Sequence, residues 1–247
     1  MKAVILTAGQ GTRLRPMTDD FPKCLIPVNG KPIIQYQLEC IEKNGIGECI
    51  IVVGFKGEMV ERHLGSQFGN TKLIYIKNDW FKETNNIYSL WLARHHLLED
   101  IILLEGDVLF KPHLLEEIQR SPHPNLAVVD KFQSPMNGTI ISANSGFATD
   151  MILKINQPVD FDYRDALKTV NIYTFSRATL QDHLLPALEV LVSEGQTDQF
   201  YERAIAQLIA QGDLLLATHL IGNGNWAEID ELEDLRKAEE IVARWAN

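Results

Sequence analysis

The sequence has few cysteines and no long apolar segment. Its 247 residues include three cysteines, Cys24, Cys40 and Cys49, an odd number without the spacing of metal sites. We therefore expect reduced thiols that pack in a core, and no disulfide framework. No apolar run approaches the length of a membrane helix, and the apolar stretch after Met1 is too short for a signal peptide. These absences predict a cytoplasmic protein without a membrane partner.

Basic residues are also scarce. The chain has 23 Lys and Arg against 33 Asp and Glu, a formal net charge of −10. Because nucleic-acid binding needs a basic face, this balance argues against a nucleic-acid partner. The first 31 residues are the exception, because five basic residues against Asp19 and Asp20 give +3 there and leave −13 for the remainder. The basic charge is concentrated in one segment, which favours a small anionic ligand.

Several familiar catalytic and phosphate-binding patterns are missing. No Ser-His-Asp or Cys-His arrangement is present, and the seven histidines lack metal spacing. In residues 9–14, Leu14 stands where the dinucleotide fingerprint requires a third glycine. The single Gly-Lys pair is followed by Pro32, whereas a P-loop requires Ser or Thr there. Neither of these two nucleotide-binding motifs applies.

A glycine loop nevertheless follows the first predicted strand. The apolar run at residues 3–6 is short and predicts a buried parallel strand. Gly9 and Gly11 let the backbone turn tightly and direct its N–H groups at an anion, while Arg13 and Lys23 add positive charge. A buried strand that ends in such a loop predicts a nucleoside triphosphate site.

Alternating strand and helix patterns predict an α/β fold with a mostly parallel, Rossmann-like sheet and helices on both faces. The strand patterns lie at 3–6, 49–54, 73–76, 100–107, 126–131, 170–176 and 214–220. The helix patterns lie near 33–44, 56–68, 86–97, 178–192, 199–210 and 231–245. Residues 139–142 and 151–155 predict a hairpin, which we expect to be a small antiparallel insertion over the active-site crevice. We expect a single domain, 1–247, with a nucleotide-binding half at about 1–110 and an acceptor-binding half at about 111–247.

Carboxylates stand at the ends of two predicted strands. Glu105 and Asp107 flank Gly106, and Asp230 closes a short strand near the C-terminus. Side chains at the carboxyl ends of parallel strands point into the crevice where such sheets bind ligands. Because Mg²⁺ takes one or two carboxylates together with phosphate oxygens, Asp107 and Asp230 predict a magnesium site. The alternative is that these carboxylates are solvated turn residues.

Asn85 and Asn86 precede a predicted helix, where asparagine is usually an N-cap. Alternatively, their amides read the edge of a nucleobase.

The order Gly-x-Gly-Thr-Arg-x-x-Pro-x-Thr, followed by Pro-Lys, resembles the signature of the sugar-phosphate nucleotidyltransferase superfamily. Its residues in this sequence are Gly9, Gly11, Thr12, Arg13, Pro16, Thr18, Pro22 and Lys23. The resemblance implies a nucleotide-diphospho-sugar transferase fold whose glycine loop holds the triphosphate. It also implies catalytic roles for Arg13 on the phosphates and for Lys23 on the reacting α-phosphate and the acceptor.

The segments 78–90, 105–107 and 228–230 extend the resemblance to the cytidylyltransferase branch that uses phosphocholine or 2-aminoethylphosphonate. This branch implies Mg²⁺, CTP as the co-substrate, and a small phosphorylated or phosphonylated acceptor. The residues implied for the nucleotide are Leu6, Ala8, Gly9, Gln10, Gly11, Thr12, Arg13, Asn85, Asn86 and Glu105. Those expected at the acceptor are Asn85, Lys131, Tyr173 and Trp226, and those implied for the metal are Asp107, Asp230 and Glu228.

The charge on the acceptor decides which side chains it needs. Trp226 offers a ring face to a quaternary ammonium, and Tyr173 is either a further aromatic wall or a residue packed in the core. An aminoethylphosphonate would instead need a carboxylate for its ammonium, and Asp160, Asp162 and Asp198 are the candidates.

Nucleotidyl transfer to a phosphomonoester needs no protein nucleophile, because a phosphate with a second pKa of about 6 is already largely dianionic at neutral pH. Positioning and charge neutralisation suffice, and Lys23 and Arg13 supply both. Together with this chemistry, the resemblance implies a Mg²⁺-dependent cytidylyltransferase that releases pyrophosphate. Two alternatives are a sugar-1-phosphate uridylyl- or thymidylyltransferase and a catalytically silent nucleotide-binding regulatory domain. The sequence indicates no oligomeric state.

Overall fold

The structure, a computed structural model, describes residues 1–245. The strands in this range, β1 to β14, are Lys2–Thr7, Pro27–Val28, Lys31–Pro32, Glu48–Val53, Gln67–Phe68, Thr71–Lys77, Ile101–Glu105, Val108–Phe110, Leu126–Lys131, Ile140–Asn144, Phe147–Ile152, Leu167–Phe175, Ala217–Leu220 and Trp226–Glu228. The helices, α1 to α8, are Ile33–Lys43, Gly57–Leu64, Asn86–Leu92, Leu114–Gln119, Arg177–Thr179, Leu185–Ser193, Glu202–Gln211 and Leu232–Trp245. A π-helical segment, Leu180–Leu184, joins α5 to α6.

Four neighbouring strands, β7, β1, β4 and β6, form the parallel part of the main sheet. Because side chains alternate along a strand, β1 packs on both faces. Ile5 lies in one core cluster with Leu38 of α1, and Val4 lies in the other with Leu90 of α3. Buried strands with helices on both faces confirm the predicted α/β architecture.

The other part of the main sheet is largely antiparallel. Its strand order within residues 1–245 is β10-β11-β13-β9-β12-β7-β1-β4-β6-β5, and β12 runs antiparallel to both β7 and β9. The predicted hairpin forms as β10 and β11, but it belongs to this sheet, because β10 pairs with β12 and buries Ile140 and Ile141. The residues that line the main crevice come from other elements. The hairpin is therefore an edge of the main sheet and is not among the elements that supply the lining of the crevice.

The predicted helix at 56–68 is shorter in the structure. It ends at Leu64, because Gly65 has a φ of +70° and its N–H donates to the Glu61 carbonyl. The residues that follow form the short strand β5, which pairs with β6.

A two-stranded antiparallel sheet outside the main sheet matters most for the site. It pairs β8 with β14, so that Glu228 lies opposite Val108. It therefore joins the segment after β7 to a segment more than a hundred residues later.

Among residues 1–245, no helix combines the length and the apolar character that crossing a bilayer would require.

Candidate active site

A cavity of about 370 Å³ opens where β1 and β7 end. Its walls come from the glycine loop, from residues 78–89, from the segment after β7, and from Asn171, Phe200, Glu202, Glu228 and Asp230. Of the residues implied for the nucleotide, all except the half-exposed Gln10 line this cavity.

The glycine loop is closed against Lys23. Gly11 has a φ of +62°, and a Cβ added there would lie 3.1 Å from the Cβ of Lys23 and 3.2 Å from Cγ2 of Thr18. The Thr18 hydroxyl donates to the Gly11 carbonyl at 2.7 Å. A side chain at Gly11 would therefore be strained and crowded. At Gly9 no protein atom lies within 4 Å of the Cβ position, which leaves that side of the loop open to a ligand.

Two aspartates and two basic residues meet at one end of the cavity. The Lys23 Nζ lies 2.7 Å from Asp107 Oδ2 and 2.9 Å from Asp230 Oδ1. Arg13 Nη2 lies 2.7 Å from the same Asp230 oxygen. The sheet of β8 and β14 brings the two aspartates together, and the Ile229 N–H donates to the Asp107 carbonyl at 3.0 Å.

These ion pairs keep the cluster charged. Burial opposes the charge of Lys23, but the carboxylates of Asp107 and Asp230 raise its pKa above the usual lysine value. Burial likewise opposes the charge of Asp230, but Lys23 and Arg13 hold the pKa of this carboxyl below its usual value. The site therefore offers fixed positive and negative charges side by side, which suits a polyanion together with its counter-cation.

The three predicted metal ligands differ in whether their carboxylate oxygens are available to a divalent cation. Asp107 Oδ1 is buried without a hydrogen-bond partner, and Asp230 lies beside it, so the two aspartates offer carboxylate oxygens to a cation. Both carboxylate oxygens of Glu228 already have protein partners. Lys168 Nζ lies 3.2 Å from its Oε2, and Asn171 Nδ2 donates to its Oε1 at 3.0 Å. No group of three or more His, Cys, Asp or Glu within residues 1–245 forms a complete metal site. Two carboxylates are the number that Mg²⁺ takes when substrate phosphates supply further ligands.

The two asparagines have different roles. The Asn85 side chain accepts from the Asn86 N–H at 2.8 Å and caps α3. The Asn86 side chain donates to Glu105 Oε1 at 3.0 Å and accepts from the Tyr201 N–H at 2.9 Å. Asn86 therefore links the end of β7 to the start of α7.

A second acidic pair lines the cavity: Glu105, which was expected at the nucleotide, and Glu202, which was not predicted. Glu202 is the first residue of α7 and is 4% exposed, with its Oε2 lacking any hydrogen-bond partner. Burial raises the pKa of Glu202 to about 7. Burial also raises the pKa of Glu105 well above its usual value, and the charges of Asp107 and Glu202 add to this effect. An acidic residue at a helix start is common, so nothing in the sequence distinguishes Glu202 as a residue of the site.

Asn171 is a further residue of the cavity that the sequence did not indicate. Its φ is +60°, in the left-handed region, at an irregularity of β12. This backbone conformation, which asparagine tolerates better than most residues, directs its amide to Glu228.

The three remaining residues expected at the acceptor do not line the cavity. Tyr173 is fully buried in the core, with its ring centroid 5.8 Å from that of Tyr201. Trp226 is 8% exposed and donates from Nε1 to Asp130 Oδ2 at 2.8 Å, so its ring is occupied by protein neighbours. Lys131 is exposed at the end of β9. The face of the sheet to which each of these side chains points depends on strand pairing, which the sequence does not reveal.

Comparisons with known proteins agree with this geometry. The family model described as nucleotidyl transferase matches residues 2–244. A choline-phosphate cytidylyltransferase of Streptococcus pneumoniae is 30% identical over 243 residues, 98% of this chain and 98% of the relative. A solved structure of the CTP:phosphocholine cytidylyltransferase from the same species matches with a TM-score of 0.80 at 25% identity, covering 98% of each chain.

Another relative is much longer than this chain. A CMP-5′-(3-aminopropyl)phosphonate synthase of Streptomyces rubellomurinus is 35% identical over 240 residues, 97% of this chain. The aligned part is 38% of that protein, so this chain spans little more than a third of its length.

Proposed function

Because the chain belongs to the nucleotidyl transferase family, we propose that it is a Mg²⁺-dependent cytidylyltransferase. It joins CTP to a small phosphorylated or phosphonylated alcohol or amine and releases pyrophosphate. The relatives with the highest identity named above carry a cytidylyl or CMP-linked activity in their names, which supports CTP as the donor. The observation that carries the proposal is the meeting of Lys23 and Arg13 with Asp107 and Asp230 beside a glycine loop.

Each part of the cavity has a place in this reaction. The glycine loop and Arg13 hold the triphosphate, and Lys23 stabilises negative charge at the α-phosphate. An acceptor oxygen forms a bond to the α-phosphorus while the bond between this phosphorus and the bridging oxygen to the β-phosphate breaks. Pyrophosphate leaves with that electron pair, and no protein group needs to accept a proton because the acceptor is already ionised.

When bound, Mg²⁺ neutralises phosphate charge and orients the triphosphate, and Asp107 and Asp230 are the residues that would hold it. Lys23 Nζ bridges both carboxylates, so the charge proposed to act on the α-phosphate lies beside the proposed metal ligands. We expect residues of about 1–110 to bind the nucleotide and residues of about 111–247 to bind the acceptor, in the cytoplasm and without a membrane or nucleic-acid partner.

Pyrophosphate release tests the proposal directly. The protein is incubated with Mg²⁺, CTP and one of several acceptors: phosphocholine, phosphoethanolamine, 2-aminoethylphosphonate and sugar 1-phosphates. We expect release with CTP and at least one non-sugar acceptor, and none after chelation of Mg²⁺. Equal or better use of UTP or dTTP would contradict the choice of CTP and favour a uridylyl- or thymidylyltransferase. CTP binding without pyrophosphate from any acceptor would indicate a nucleotide-binding regulatory domain.

A further inference from the structure

We propose that the acceptor carries a protonated primary amine and that the Glu202 carboxylate binds this ammonium. The proposal rests on the function proposed above and names the substrate class of the same cavity.

The geometry of Glu202 indicates a binding role. It lines the cavity although it is 96% buried, and its Oε2 has no hydrogen-bond partner in the protein. A buried carboxylate oxygen without a partner costs free energy, because it has lost water and gained nothing in exchange. A ligand that donates to this oxygen would remove that cost.

The basic residues near the cavity do not neutralise Glu202. Arg13 and Lys23 are paired with the aspartates at the other acidic cluster. Lys168 acts on Glu202 through its field, but its Nζ pairs with Glu228 and donates to the Thr169 carbonyl at 2.6 Å. Glu105 adds a further carboxylate close by, which makes this end of the cavity suitable for a cation.

The lining favours an amine that donates hydrogen bonds over a trimethylammonium group. Among the described residues of the lining, the aromatic side chains are Phe81 and Phe200, whereas Tyr173 and Trp226 lie elsewhere. Quaternary ammonium groups are bound by aromatic ring faces, preferably of Trp and Tyr, and have no N–H to donate. A primary ammonium has three N–H donors, and the unpartnered Oε2 of Glu202 is an acceptor for one of them.

The carboxylates that the sequence offered for this ammonium are placed differently. Asp160, Asp162 and Asp198 are exposed and do not line the cavity. Asp198 precedes Glu202 by only four residues and accepts a hydrogen bond from Gln199 at 2.9 Å. It therefore provides a matched control for the removal of a nearby carboxylate.

The test compares acceptors that differ in the ammonium alone. Initial rates of pyrophosphate release are measured with Mg²⁺ and saturating CTP, using 2-aminoethylphosphonate with 2-hydroxyethylphosphonate, the corresponding propyl pair, and phosphoethanolamine with phosphocholine. For the wild type we expect kcat/KM to be about 10²-fold higher for an amine than for the hydroxyl compound of the same length. We expect kcat/KM to be lower for phosphocholine than for the corresponding primary amine, phosphoethanolamine.

Variants then assign the preference to Glu202. Glu202→Gln should lower kcat/KM for the amine about 30- to 100-fold, chiefly through KM, and change that for the hydroxyl compound less than about 3-fold. Glu202→Asp keeps the charge and should restore part of the preference. Asp198→Asn should leave both acceptors unchanged. Thermal unfolding of each variant checks that the fold is retained.

Each contrary outcome has a defined meaning. Equal losses for amine and hydroxyl acceptors in Glu202→Gln would show a structural role and overturn the proposal. An amine preference that survives this substitution would overturn the assignment to Glu202, and a preference for phosphocholine would overturn the choice of a primary amine. In all three cases the cytidylyltransferase function would stand. Absence of pyrophosphate with every acceptor and with CTP, UTP and dTTP would overturn the proposed function itself, and this inference with it.

Discussion

Two pairs of carboxylates line one cavity, and the surrounding protein treats their charges in opposite ways. Asp107 and Asp230 share the ammonium of Lys23, and Asp230 also pairs with Arg13. Glu105 and Glu202 have no such ion pairs, and the neighbours of this pair include Asn86 and Tyr201. The pKa of Asp230 is lowered, because its basic partners outweigh its burial, whereas burial raises the pKa values of Glu105 and Glu202.

This difference shows that the partners of a carboxylate, more than its residue type, decide what it can bind. Lys23 and Arg13 stabilise the negative charge of the aspartate pair, which can exchange Lys23 for a metal or share it with a phosphate. The glutamate pair holds its charge at a cost, so it gains most from a ligand that brings positive charge. One cavity therefore offers two distinct electrostatic environments, which suits a reaction that joins a polyanion to a cationic acceptor.

The largest effect is expected from removing the ammonium that the two aspartates share. Lys23→Met should lower kcat for pyrophosphate release by about 10²- to 10³-fold, because a preorganised charge at the α-phosphate is lost. Lys31→Ala is the control, since Lys31 forms a surface ion pair with Glu39 and lies outside the cavity. Steady-state kinetics with CTP measure the effect. Nearly normal turnover combined with a large loss of thermal stability would show that Lys23 is a structural residue.

A smaller loss is expected from removing one charge of the aspartate pair. Asp107→Asn should lower kcat about 10²-fold and raise the Mg²⁺ concentration required for half-maximal rate, because one of two carboxylates for the metal is gone. The matched control is Asp162→Asn on an exposed loop. If the variant requires the same Mg²⁺ concentration for half-maximal rate as the wild type, Asp107 is not a ligand of the metal.

The sequence was sufficient for the parallel part of the fold, because buried strands such as β1 and β4 are continuous apolar runs that need no knowledge of their partners. It also indicated the glycine loop with Lys23, since these residues lie close together in the chain. The pairing of the hairpin with β12 could not be predicted, because it joins segments whose register no local pattern reveals.

Residues whose role depends on packing were the ones that sequence reasoning missed or misplaced. Tyr173 and Trp226 are aromatic residues on strands, and only the pairing of β12 and β14 decides that both side chains face the core. Glu202 looks like an ordinary acidic residue in the first turn of a helix. Its burial follows from the contact of Asn86 with the Tyr201 N–H, which joins segments 115 residues apart.

The opposite pKa shifts of Glu202 and Asp230 predict opposite pH dependences of stability. The pKa of Glu202 is about 7 in the folded protein, against 4.5 for an unperturbed glutamate, with Glu105, Tyr173, Tyr201, Lys168 and Glu228 as its charged or titratable neighbours. Between these pH values the folded protein retains a proton that the unfolded chain releases, so the free energy of unfolding falls as pH rises, by up to about 3 kcal/mol. Asp230, whose pKa is lowered, instead contributes stability above the usual aspartate pKa and loses it on acidification.

Thermal unfolding of Glu202→Gln measures the contribution of Glu202. The variant cannot ionise, so its Tm relative to the wild type should rise by about 5–10 °C between pH 5 and pH 8. Asp198→Asn serves as the control and should show no such trend. Parallel Tm curves for wild type and Glu202→Gln would mean that Glu202 is solvated in the folded protein, and the contrast between the two carboxylate pairs would disappear.

The smallest effect is expected at Lys131, which tests whether the basic residues that serve the phosphates are confined to the aspartate end of the cavity. Lys131 is exposed at the end of β9 and does not line the cavity, so Lys131→Ala should change kcat/KM for the acceptor less than about 3-fold. Lys72→Ala, on the exposed surface of β6, is the matched control. A tenfold or greater rise in the KM of the acceptor, without a change in that of CTP, would bring Lys131 into the acceptor site. The acceptor's phosphate would then contact a basic residue in addition to Lys23. The contrast between an aspartate pair with basic partners and a glutamate pair without them would no longer account for how the cavity binds both substrates.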